Sequence, residues 1–140
     1  MFDAANRDRL QQLFRRESRG MLQYFGESSP WVGQPDREAF AAVNVLIETE
    51  KTSWLELAKF LESSGIPLPY LGAYPTRFTA YNFSNLHKLL PVVIADHRRQ
   101  LASLELDRDQ LSAYAQPVIE ARIEMKRKHL TELERIASTT

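Results

Sequence analysis

Apolar residues recur at alternating steps of three and four along four stretches of the chain, the signature of amphipathic helices. The first stretch covers about residues 3–25 and carries Leu10, Phe14, Met21 and Tyr24 on one stripe. The second, about 35–64, carries Phe40, Val43, Ile47, Trp54, Leu57 and Leu61. The third, about 84–104, carries Leu86, Leu90, Val93, Leu101 and Leu104, and the fourth, about 107–137, carries Leu111, Ala115, Val118, Met125 and Ile136. Local signals set the ends. Gly26 predicts a left-handed stop for the first helix. Pro35 suits the first turn of the second, Asp36 and Glu38 complement its dipole, and Gly65-Ile66-Pro67 ends it. Asp107-Arg108-Asp109-Gln110 resembles a capping box at the start of the fourth helix. Pro91 and Pro117 predict kinks.

The connections predict how these helices pair. Residues 27–34 form a short link, and one or two residues separate the third helix from the fourth, so each pair forms an antiparallel hairpin. Residues 65–83 are different: long, and rich in Pro, Gly and aromatic side chains. Extended chain rises up to ~3.3 Å per residue and a helix ~1.5 Å, so this segment is long enough to run back along the whole second helix. Short, long, short is the pattern of an all-α antiparallel four-helix bundle with one crossover, here a single domain over residues 1–140. A loop this long is uncommon in a compact domain and is often functional; its plainest role is to cap the bundle with its aromatic side chains.

The stripes are not wholly apolar. Glu17 falls in the first, Glu50 at the centre of the second and His97 in the third. Arg122 and His129 interrupt the fourth, with Lys126 beside them. A buried, unpaired charge costs several kcal/mol, so these groups must pair, bind an ion or change protonation. With the third helix starting beside the start of the second, Glu50 and His97 reach similar depth and Glu17 lies nearer Arg122. The expected pairs are Glu17 with Arg122, whose guanidinium fork suits a carboxylate, and Glu50 with His97. A turn near Leu106 puts His129 roughly three turns or more beyond the level of His97.

Carboxylates inside a bundle with a long central crossover resemble the ferritin-like superfamily. The separation of Glu17 from Glu50 and the segment IETEKTSWLELAKFLESSGIP look like the rubrerythrin branch. Members with a working di-iron centre place a Glu on the first helix, a Glu-x-x-His on the second, and the same set on the other two. On this resemblance Glu17 and Glu50 stand at ligand positions. The chain departs from the pattern after that. Ser53, not His, follows Glu50 at the required spacing, and His87, His97 and His129 are preceded there by Ser84, Ile94 and Lys126. Asp96 is the one acidic candidate on the third helix, while Glu120 and Glu124 lie off the apolar stripe of the fourth. The resemblance therefore implies a degenerate member without the metal motifs.

Composition narrows the classes further. The chain has no cysteine, so disulfides, thiolate metal sites and cysteine nucleophiles are excluded. Its 18 basic and 18 acidic residues balance, which argues against a dedicated nucleic-acid binder. Arg15-Arg16, His97-Arg98-Arg99 and Lys126-Arg127-Lys128-His129 spread around their helices among acids and read as solvated faces. No phosphate loop, serine-nucleophile motif or dinucleotide fingerprint occurs. The N-terminus lacks an apolar signal region, and no run approaches the ~20 apolar residues of a membrane span. A cytoplasmic protein is expected.

These observations lead to a non-enzymatic helical bundle that has lost its di-metal centre and acts through an interaction surface, on a protein partner or a second copy, with no nucleic acid and no membrane. Its buried polar network is expected to comprise Glu17, Glu50, His97, Arg122 and His129, without cofactor. The alternative is a metal-binding protein or metal-dependent oxidoreductase with an atypical ligand set, Glu17, Glu50 and His97, holding Fe, Mn or Zn. A third reading is a small-ligand binder that uses the aromatic crossover: Tyr70, Tyr74, Phe78, Tyr81 and Phe83.

Overall fold

The computed structural model describes residues 2–28, 30 and 32–139. Every regular element among them is helical, with no strand. Five α-helices follow one another: α1 Ala4–Ser18, α2 Met21–Glu27, α3 Arg37–Ser63, α4 Leu86–Gln110 and α5 Gln116–Thr139. Single 3-10 turns lead into α3 (Gln34–Asp36) and α5 (Ala113–Ala115), and a longer one, Thr76–Tyr81, lies in the crossover. No helix is long and apolar enough to cross a membrane.

The helix expected over 3–25 is two helices. Asp3 caps α1, its Oδ1 accepting the Asn6 N–H at 2.8 Å. The helix ends at Ser18, whose hydroxyl bonds back to the Phe14 and Arg15 carbonyls, a competition that weakens helices. Gly20 then offers no side-chain cap to α2. Asp96 of α4 supplies one, accepting the Met21 N–H at 2.7 Å. A Cβ on Gly20 would run into the side-chain amide of Gln100, so a larger residue here would have to displace that amide. Gly26 lies inside α2 and is not a left-handed stop; the positive-φ glycines are Gly65 and Gly72.

The end of α3 follows its sequence signal. Gly65 has φ 73°, its N–H bonds Glu62 O at 3.1 Å, and the Ile66 N–H bonds Leu61 O at 2.9 Å. This is a Schellman stop, with Ile66 buried beside Leu61 in one cluster. Asn85 caps α4, which then runs past the expected end near residue 104 and continues through Pro91. The extension has a packing cause: Leu104, Asp107 and Leu111 continue the buried stripe. Asp107 is no cap for a fourth helix; it accepts Arg9 at 3.3 Å and Arg16 at 2.6 Å. The turn falls at residues 111–115 and Pro117 lies in the first turn of α5, where it disturbs nothing.

Helices α4 and α5 run antiparallel, as Arg108–Glu120, Glu105–Arg127 and Arg98–Glu134 pair in opposite order along them. Helix α3 packs on α1, α2 and α5, and α4 also meets α1 and α2. The apolar core is in two parts. One gathers Met21, Phe25, Val43, Leu90, Val93 and Leu133; the other gathers Leu10, Phe14, Leu57, Leu104, Ile119 and Ile123. Six residues of the expected stripes, Tyr24, Phe40, Trp54, Leu101, Val118 and Met125, are only half-buried. For the last two the cause is register: the buried stripe of α5 runs Ile119, Arg122, Lys126, His129, Leu133, Ile136, one residue round from the expected line.

Candidate functional site

Between the two apolar clusters lies a layer of charged and polar side chains. Each long helix contributes at the heptad position where its apolar stripe passes from one cluster to the other. Helix α1 gives Glu17, α3 gives Glu50 and Ser53, α4 gives His97 and Gln100, and α5 gives Arg122, Lys126 and His129. Glu17, Glu50, His97, Arg122 and Lys126 are at most 3% exposed, so water cannot satisfy them.

Lys126 is the centre of this layer. Its Nζ lies 3.0 Å from Glu50 Oε1, 3.2 Å from Glu17 Oε1 and 2.9 Å from Gln100 Oε1. One ammonium thus joins three helices to α5, by hydrogen bonds to Glu50 and Gln100 and an ion pair with Glu17. Arg122 donates from Nε to Glu17 Oε1 at 2.8 Å and from Nη1 to Ser53 Oγ at 2.7 Å. The second oxygen of Glu50 is shared by two imidazoles: His97 Nε2 and His129 Nδ1 each stand 2.7 Å from Oε2. The Nδ1 atom of His97 is buried without a partner.

The carboxylate charges of Glu17 and Glu50 face the cations of Arg122 and Lys126. Burial drives the Glu17 carboxyl up, but Lys126 and then Arg122 outweigh it and hold it below its ordinary value. Burial opposes ionisation of Glu50 in the same way. Lys126, His97 and the hydrogen bonds from both imidazoles hold it well below the ordinary range. Both stay ionised because protein cations stand where solvent does not. Glu17 Oε2, Arg122 Nη2 and the Trp54 indole N–H are buried without a partner.

The expected pairs Glu17–Arg122 and Glu50–His97 are present as contacts. The expected separation of His129 from His97 is not: both reach the same oxygen. The reason is the turn. His97 and His129 are equidistant along the chain from Ala113, as are Gln100 and Lys126, so an antiparallel hairpin folded there brings each pair level. Lys126, Gln100 and Ser53 join the layer although the expected network does not include them. Alternating steps of four and three from Leu86 through Leu90, Val93, His97, Gln100, Leu104 and Asp107, and from Ile119 to Ile136 through Lys126, were the signal that marks two of them.

A metal does not fit this donor set. Lys126 bridges the two carboxylates on the side where a shared ion would need them, Arg122 takes Glu17 Oε1 as well, and both imidazole nitrogens are spent on one oxygen. Among the described residues no group of three or more His, Asp or Glu side chains is arranged to hold an ion. Glu17, Glu50 and His97 are thus brought close to one another, but as partners of protein cations and not as an open ligand set.

The crossover residues separate. Tyr70 is 86% exposed and Phe83 95%, whereas Phe78 is buried in the core and Tyr74 and Tyr81 are half-buried. Tyr74 packs edge-on against Tyr24 at 5.2 Å. Burial, then a hydrogen bond with Glu27, pushes its phenol up to about 12. Under the crossover, against α1 and α4, lies a cleft of about 470 Å³. Searches among family models, curated proteins and solved structures give no match to the chain.

Proposed function

We propose that this protein is a four-helix bundle of ferritin-like arrangement in which protein cations stand in for the metal ions, and that it works by binding rather than by metal chemistry. The observation that carries this reading is Lys126. Its ammonium contacts both Glu17 and Glu50 and is completely buried, so the two carboxylates that resemble di-metal ligands share a covalently attached cation. In this reading α1 with α2 forms the first helix of the bundle, α3, α4 and α5 the rest, and residues 64–85 the crossover. The layer then serves to hold register among the helices, a role in which buried polar groups are best attested. Contacts with a partner protein or a second copy would use the exposed surface, where Tyr70 and Phe83 of the crossover stand out.

Elemental analysis tests the reading. Protein purified without chelator from cells supplied with Fe, Mn and Zn should carry each at well below one ion per chain, and a chelator should leave its thermal unfolding unchanged. A stoichiometric metal that is lost on Glu50→Gln would overturn the reading in favour of an oxidoreductase or metal-binding protein using Glu17, Glu50 and His97.

A further inference from the structure

The cleft under the crossover departs from the charge balance of the rest of the chain. Overall, 18 basic residues meet 18 acidic ones. Around this cleft stand Arg15, Arg16, Arg19, Arg77 and Arg99, against Asp96 alone. Asp96 is already committed, with Oδ2 to the Met21 N–H and Oδ1 to Arg99 at 3.2 Å. Arg16 is paired with Asp107. Arg15 and Arg77 have no carboxylate partner among the described residues. The excess is therefore uncompensated positive charge, drawn together from α1, the crossover and α4, in a concave site of ligand size.

Two of these guanidinium groups are held in place by aromatic rings. Arg19 Cζ lies 4.8 Å from the centre of the Tyr74 ring, and Arg77 Cζ 4.9 Å from that of Phe78. Arg19 is fixed further by its Nε–H to Gly72 O at 3.2 Å. Stacking uses the face of a guanidinium and leaves edge N–H groups for an oxyanion, the geometry in which Arg outperforms Lys. The wall opposite α1 is apolar: Leu71, Ala73, Pro75 and Phe78. Gln100 also lines the cleft and its Oε1 accepts from Lys126, so the cleft lies one side chain away from the buried layer.

We propose that this cleft binds a small molecule that joins a phosphate group to an apolar body, the arginines taking the phosphate and the crossover wall taking the body. This small-molecule site is separate from the partner surface described above and stands whether or not the bundle ever carried metal, so elemental analysis and ligand titration fail independently. The probe is 1-naphthyl phosphate, titrated into the full chain by calorimetry, with inorganic phosphate and 1-naphthol as its two halves. Saturable one-to-one binding at least about tenfold tighter than either half is expected. Arg15→Gln with Arg77→Gln should weaken it about tenfold or more, at unchanged melting temperature because both side chains are exposed and neither holds a carboxylate partner among the described residues. Ala73→Trp, placed at the exposed wall, should abolish binding by filling the cleft. Absence of saturable binding, equal affinity for inorganic phosphate alone, or binding unaffected in the arginine double variant and in Ala73→Trp would overturn the proposal.

Discussion

Lys126 shows how a residue reverses its usual preference. Lysine is almost never fully buried unless paired, yet this one is 0% exposed because it pairs with two carboxylates and hydrogen-bonds the Gln100 amide oxygen. The same cation keeps Glu17 and Glu50 ionised, and that has a consequence for stability. Both carboxyls lie below their ordinary value of 4.5 in the folded protein. In the range between the unfolded and folded values the unfolded chain binds more protons, so stability rises with pH there. The contribution is fully present above about pH 5 and is lost progressively as pH falls through the depressed folded values. Urea unfolding at about pH 6 and about pH 3.5 should show a clear drop in midpoint, and Glu50→Gln should reduce that drop. An equal drop in the variant would mean that carboxylates elsewhere carry the acid sensitivity. Glu17, Glu50, His97, Arg122 and His129 stand out in the sequence because each breaks an apolar stripe. Lys126 and Gln100 did not, because taking Met125 and Leu101 as the buried positions moved both off the stripe.

At the scale of the elements, boundaries were legible where a local signal acts alone and obscure where a distant residue acts. Gly65 and Ile66 close α3 with bonds to its own last turn, and residues 65–67 mark that end in the sequence. The break between α1 and α2 depends on Asp96 and Gln100, which are far along the chain and leave no local trace beyond Gly20. The length of α4 depends on Arg9 and Arg16 reaching Asp107, which turns an apparent capping residue into a buried partner. The cap on α2 is open to test. Asp96→Ala leaves the Met21 N–H without its acceptor, and loss of an N-cap costs about 0.5–2 kcal/mol. Hydrogen exchange should show faster amide exchange concentrated in α2, with α5 little changed. Uniform acceleration through all helices would mean that α2 is not a separately capped unit.

At the scale of the whole molecule, the helical class and the four apolar stripes were readable from the chain, because periodicity reports burial directly. The depth at which the stripes meet was not, because it depends on a turn placed several residues from where the local signals put it. Folding that turn about Ala113 brings His97 level with His129 and Gln100 level with Lys126, and sets one polar layer between two apolar clusters. Such a layer fixes the register of the helices only if its members are mutual partners. Arg122 and Glu17 are the pair to test, since each is buried and Arg122 Nε donates to Glu17 Oε1 at 2.8 Å. Removing one member of a buried pair typically costs about 3–5 kcal/mol, whereas replacing both with apolar residues is often neutral or better. The decisive measurement is a double-mutant cycle by urea unfolding with Arg122→Leu, Glu17→Leu and the two combined. Protein cations holding the carboxylates predict a large loss in each single variant and recovery of much of it in the double variant; additive losses would contradict that account.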